Sequence, residues 1–156
     1  MKKWMCMLLA MILMIAAGNC ALADETVQLP DSGYTIKIPD GMIYDGPGTD
    51  PDMAKFAYVS DELGLDILFF SYEANGWEMP EVAESLRNNG TDVELRRING
   101  IDMIVYRLTD PEDPPEKGMK CIGFVLKDGD TVEEICFWYA KKSAAKLAEE
   151  IISSIE

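Results

Sequence analysis

Two periodicities divide this chain into elements. Tyr34, Ile36 and Ile38 alternate with Thr35 and Lys37, the period-2 pattern of a strand with one buried face. With "TVQLP" before it, this segment predicts two short strands around the turn residues Pro30 to Gly33. A loop rich in Gly, Pro and Asp follows, from Asp40 to Asp52. "AKFAYVS" and "LDILFFSYEA" then read as a hairpin through Asp61 to Gly64. The second strand is apolar on both faces around Leu68, Phe69 and Phe70, which places it inside a sheet covered on both sides.

The period changes to 3.6 in "MPEVAESLRNNG". Val82, Ala83 and Leu86 form an apolar stripe. Pro80 suits the first helical position, and Glu81 and Glu84 favour the positive N-terminal end. Gly90 supplies a left-handed stop. "VELRRINGIDMIVYRL" returns to strand. Its Asn99-Gly100 pair fits a two-residue type I′ turn. That turn sets Arg97 opposite Asp102, Asp92 opposite Arg107, Leu95 opposite Ile104 and Val93 opposite Tyr106. A Pro- and acid-rich loop, Asp110 to Gly118, separates this hairpin from "KCIGFVLKDGDTVEEICFWYA". One of Trp138 and Tyr139, which point to opposite faces of that strand, belongs to the core. The closing "SAAKLAEEIISSIE" carries Ala144, Leu147, Ala148, Ile151 and Ile155 at helical spacing, with Ser143 as the expected N-cap.

The last hairpin raises a question of chemistry. A turn at Asp128-Gly129 sets Cys121 directly opposite Cys136. Such a pair has Cβ atoms about 4.5–5.5 Å apart, near the ~3.5–4.5 Å of a disulfide. In that register the two cysteines occupy a hydrogen-bonded pair, where side chains stand further apart. A four-residue loop closed by Leu126 and Thr131 would reverse the parity. A disulfide and two buried free thiols both remain open.

Charge and composition narrow the field. The 156 residues hold Lys+Arg 14, Asp+Glu 28 and no His, for a net charge of −14. Without His there is no Ser–His–Asp or Cys–His nucleophile pair and no His-ligated zinc. The negative charge excludes a phosphate-backbone binder, so no nucleic-acid partner is expected.

Lys2 and Lys3, the apolar run Trp4 to Ala17, and the small residues Ala21 and Ala23 make up a secretory signal peptide. Cleavage is expected between Ala23 and Asp24. An uncleaved membrane anchor and a lipoprotein linked through Cys20 are the alternatives, though the run falls short of the ~20 residues of a spanning helix and Asn19 is a poor residue before a lipid-bearing Cys. Residues 1–23 are thus the leader and 24–156 one domain, secreted or held in the cell envelope. Removing 23 residues leaves 133, with a net charge of −16. Cys121 and Cys136 are then the remaining cysteines, in a compartment that permits disulfides.

The fold class is α+β, a central antiparallel sheet built from hairpins with helices packed on it. The order β-β, β-β, α, β-β, β-β, α, opening on "GYTIKIP", resembles the PsbP-like fold, an α/β/α sandwich. Extrinsic photosystem proteins, Ran-binding relatives and small exported bacterial proteins share it. The resemblance covers nearly the whole mature chain and rests on element order, without a catalytic motif. It implies a non-enzymatic binding or assembly module.

Candidate sites are few. Trp77, between Gly76 and Glu78 ahead of a helix, either caps the sheet edge or marks a contact surface for a protein partner or a cationic ligand. Tyr44 occupies a similar loop. Asp45, Asp50 and Asp52 share a Gly/Pro loop that could gather oxygen ligands for Ca²⁺, without matching the EF-hand pattern. Asp110, Glu112, Asp113 and Glu116 form a second acidic loop. Glu78, Glu81 and Glu84 read as a solvated helix start rather than an acid/base set. No cofactor is expected beyond that Ca²⁺. The alternatives to a binding module are a Ca²⁺-stabilised envelope protein and an enzyme using carboxylates or a thiol at Cys121 or Cys136.

Overall fold

The computed structural model describes residues 24–47, 54–88, 91–111, 114 and 117–156. The expected leader (residues 1–23), Asp50, Asp52, Gly90, Glu112, Asp113 and Glu116 lie outside the described residues.

Among the described residues, nine strands and two helices are formed. Strands β1 (Glu25–Gln28) and β2 (Thr35–Ile38) pair as a separate two-stranded sheet. The main sheet contains β3 (Ile43–Asp45), β4 (Phe56–Ser60), β5 (Leu65–Glu73), β6 (Asp92–Ile98), β7 (Ile101–Leu108), β8 (Lys120–Asp128) and β9 (Thr131–Tyr139). Its order is β3-β4-β5-β9-β8-β7-β6, antiparallel throughout. Helix α1 (Met79–Asn88) links β5 to β6, and α2 (Lys142–Ile152) follows β9.

The sheet is covered on both faces, as the two-sided apolar pattern of β5 requires. Leu65, Ile67 and Phe69 join Phe124, Ile135 and Phe137 beneath α2 and the β1–β2 hairpin. On the other face, Ile104, Tyr106, Val125, Val132, Cys121 and Cys136 form a smaller cluster with Ala83 of α1, and Val82 and Leu86 pack at its margin. Ile151, Ile152 and Ile155 are almost fully buried, each contributing about 1.5–3 kcal/mol over an exposed position. Paired backbone bonds between Thr35 and Glu156 (2.9 and 3.1 Å) join the segment after α2 to β2.

Three local expectations are corrected. Within the expected 40–52 loop, Ile43–Asp45 forms an edge strand, because Ile43, Tyr44 and Asp45 find β4 partners at Val59, Tyr58 and Ala57. Helix α2 starts at Lys142 with Lys141 at the N-cap, so Ser143 lies inside the first turn rather than capping it. Trp138 and Tyr139 do face opposite clusters, but both are half-buried and neither is a full core residue.

The fourth correction concerns register. The β6–β7 hairpin pairs as expected, with Asn99 (φ 50°) and Gly100 (φ 85°) both left-handed, as a type I′ turn demands. In β8–β9, however, Asp128 pairs with Thr131. The two turn residues are Gly129 (φ 62°) and Asp130, with Gly at the first central position in the manner of type II′. Cys121 therefore faces Trp138, and Cys136 faces Gly123. The cysteines are diagonal neighbours on one face, buried and free.

Glu133 is buried on the apolar face of β9. Its Oε1 accepts the Asp31 amide at 2.8 Å, anchoring the β1–β2 turn to the sheet. Its Oε2 and the Oγ of Ser71, directly opposite on β5, both lack a hydrogen-bond partner among the described residues. Burial raises the Glu133 carboxyl above its ordinary range, partly offset by the Asp31 amide and Ser32.

Candidate functional site

The turn before α1 is built to hold Trp77 outward. Asn75 (φ 51°) and Gly76 (φ 78°) are both left-handed, a conformation that Asn and Gly tolerate best. The Trp77 amide then closes on the Ala74 carbonyl at 2.9 Å, while the Ala74 amide reaches Asp130 of the β8–β9 turn at 2.8 Å. On the other side, Glu81 accepts the Glu78 amide at 2.9 Å, one half of a capping box. Glu78 in turn accepts from Lys127 Nζ at 3.0 Å. Trp77 is 50% exposed on this anchored turn.

Two concavities meet at its side chain. One, of about 560 Å³, is lined by Gly76, Trp77, Glu81, Glu84, Ser85 and Asn88. The other, of about 270 Å³, is lined by Tyr72, Glu73, Ala74, Asn75, Trp77, Val82 and Val132. The first is acidic and hydrogen-bonding; the second has a mostly apolar floor. Trp77 is therefore half-exposed and lines both hollows.

Tyr72 connects the apolar hollow to a polar cluster beneath it. Its hydroxyl donates to Glu134 Oε2 at 3.3 Å. The Tyr106 hydroxyl donates to Glu134 Oε1, and Cys136 Sγ lies 3.1 Å from that hydroxyl. Burial, reinforced by Cys136 and Glu134, pushes the Tyr106 phenol far above its ordinary value. The Cys121 thiol, then burial, then the charge of Glu134 hold the Cys136 thiol well above its own. A buried thiol kept protonated is a poor nucleophile.

Tyr44 lies elsewhere. It stands on β3, 55% exposed, edge-on to Tyr58 (centroids 5.5 Å apart) and tilted against Phe56 (6.1 Å). This aromatic group belongs to the α2 face, and burial, with Glu25 nearby, pushes the Tyr58 phenol up to about 12. Tyr44 and Trp77 thus do not form one site. Asp45 closes the same edge strand. Among the described residues, no group of three or more Cys, Asp or Glu side chains is gathered as a metal site.

Sequence reasoning singled out Trp77 but missed Tyr72, Tyr106 and Glu134. Gly123 was the available signal, a lone glycine inside an apolar strand, which often marks a close approach. Here the approaching group is the Tyr106 ring.

The layers and strand order define an α/β/α sandwich with one meandering sheet. This is the PsbP-like fold. The chain is similar in structure to cyanobacterial PsbP (CyanoP) from Synechocystis sp. PCC 6803, with a TM-score of 0.64 and 14% identity, over 88% of this chain and 95% of that one. It is also similar to a protein from Bacteroides thetaiotaomicron VPI-5482, with a TM-score of 0.58 and 18% identity, over 86% of this chain and 48% of that one. No family profile matches the chain. No curated protein matches it in sequence.

Proposed function

We propose that this protein is an exported, non-enzymatic binding or assembly module of the cell envelope or extracellular space, and that it meets a partner through the Trp77 surface. The observation that carries this reading is the half-exposed Trp77, fixed by backbone bonds on one side and by the start of α1 on the other, between two hollows. A rigid, outward aromatic is a strong contact residue, because it buries a large area with little loss of side-chain freedom. The PsbP-like architecture supports an accessory role, and the charged leader with its A-x-A exit supports export. The protonated Cys136 thiol counts against a thiol enzyme.

Pulldown from the envelope fraction of source cells tests the reading. Wild type is expected to retain a specific partner that Trp77→Ala loses, with both proteins showing the same melting temperature. Retention of every specific partner by Trp77→Ala removes the role assigned to that residue.

A further inference from the structure

The two hollows differ in chemistry, and the difference specifies an occupant. In the larger hollow, Glu81 and Glu84 stand one helical turn apart beside the indole of Trp77. One oxygen of Glu81 is engaged by the Glu78 amide. Glu84 has no hydrogen-bond or ion-pair partner among the described residues. Among the described residues no Lys or Arg lines this hollow, and Lys127 is engaged by Glu78. Ser85 and Asn88 complete the wall with neutral hydrogen-bonding groups. An aromatic side chain beside one unpaired and one half-engaged carboxylate attracts a cation by two additive routes, Coulombic and cation–π. Across Trp77, the smaller hollow offers Ala74, Val82 and Val132 to an apolar side chain.

We infer that the Trp77 surface docks an extended segment of a protein partner bearing an arginine or lysine and, two residues away, an aliphatic side chain. This rests on the binding-module reading above. In an extended segment, residues two apart point to the same side, so one segment can fill both hollows with Trp77 standing between its side chains. The basic group lies over the indole toward Glu84. The aliphatic group lies against Val82 and Val132. Charge complementarity with a chain of net charge −14 favours the encounter.

The test uses the full chain, expressed with its own leader, and dye-labelled octapeptides of Gly and Ser carrying Arg-Gly-Leu, Glu-Gly-Leu or Arg-Gly-Ser. Fluorescence anisotropy reads binding at low and high salt. The Arg-Gly-Leu peptide is expected to bind at least about tenfold more tightly than either control. Trp77→Ala should lose about tenfold or more in affinity for it. Glu84→Gln should lose roughly three- to tenfold and flatten the salt dependence. Glu84 is exposed, so this variant keeps the fold.

Arg-Gly-Leu binding no tighter than Glu-Gly-Leu overturns the inference, as does unchanged affinity in both variants. Partner binding through Trp77 and recognition of this sequence pattern fail separately. Trp77-dependent capture of a specific partner without peptide discrimination leaves the binding-module reading standing and removes this one. Loss of both removes both.

Discussion

The ring of Tyr106 occupies the space that a side chain on Gly123 would need. The two residues are directly paired across β7 and β8. A Cβ on Gly123 would lie 2.1 Å from Tyr106 Cζ and 2.2 Å from Cε1. The ring cannot easily withdraw, since its hydroxyl is held by Glu134 and Cys136. Gly123→Ala is therefore expected to cost about 1–3 kcal/mol, as overpacking does. In a Tyr106→Ala background the same change should be neutral or stabilising, because alanine suits a strand better than glycine. Urea unfolding of the four proteins measures this coupling. An equal cost in both backgrounds would show that the ring is not what keeps position 123 a glycine.

The cysteines make a second prediction. Cys121 and Cys136 are free thiols on diagonal rather than directly paired positions, and diagonal neighbours are typically about 7–8 Å apart, outside the usual backbone spacing of a disulfide. Cys121 and Cys136 should both titrate as free thiols once residues 24–156 are unfolded without reductant. In the folded domain, alkylation should be slower by at least on the order of a hundredfold, because both thiols are buried and Cys136 is held protonated. A mass two units lower, with no titratable thiol, would refute the register drawn for β8 and β9.

Glu133 gives a pH-dependent prediction. Its raised carboxyl binds a proton more tightly in the folded chain than in the unfolded one. Its contribution to stability is thus full below the ordinary Glu range and is lost as pH rises through the raised folded value. Glu133→Gln keeps an oxygen for the Asp31 amide and offers an N–H toward Ser71. At pH 7 it should stabilise the domain by roughly 1 kcal/mol, the scale of relieving an unsatisfied buried polar atom. The advantage should shrink toward pH 4. Denaturation midpoints across that range check it, and a variant less stable than wild type at pH 7 would assign Glu133 a needed negative charge.

Glu94 should behave in the opposite sense. Hydrogen bonding from Arg96, aided by Arg107, holds its carboxyl below the ordinary value. Both arginines also reach Glu149 of α2, so the pairs form one network across β6, β7 and α2. The contribution of Glu94 is present above the ordinary Glu range and lost as pH falls through the lowered folded value. Because the group is 46% exposed, Glu94→Gln should cost only a few tenths to about 1 kcal/mol at pH 7. The difference from wild type should vanish at about pH 2 and diminish in high salt.

These residues also mark what the sequence could and could not reveal. The β6–β7 register was legible because Asn99-Gly100 admits one two-residue turn and the charge pairs agree with it. The β8–β9 register was not. Gly129 satisfies a two-residue turn as either its first or its second central residue. Sliding between the two moves every partner by two positions, which leaves both faces unchanged, so the apolar pattern cannot distinguish them. Trp77 was legible as an aromatic outside any strand pattern. The hollows beside it were not, since they depend on how α1 lies against Tyr72 and Val132, residues far apart in sequence. Glu133 shares the parity of Ile135 and Phe137, so its buried side was readable; the Asp31 amide that accepts the cost of burying it was not.

The main sheet consists of two sequence-local meanders, β3 to β5 and β6 to β9, sealed along the β5–β9 seam. Within that sheet, the connection carrying Trp77 and α1 is the one that crosses over other strands. Each meander keeps its own ladders if that bridge is severed. Fragments 24–90 and 91–156, produced together, should re-anneal into one folded complex, detectable by co-purification and restored thiol protection. The surface proposed for partner contact is thus hung on the joint between the two meanders. Its turn and helix face can be rewritten for a different partner without breaking a rung of either ladder.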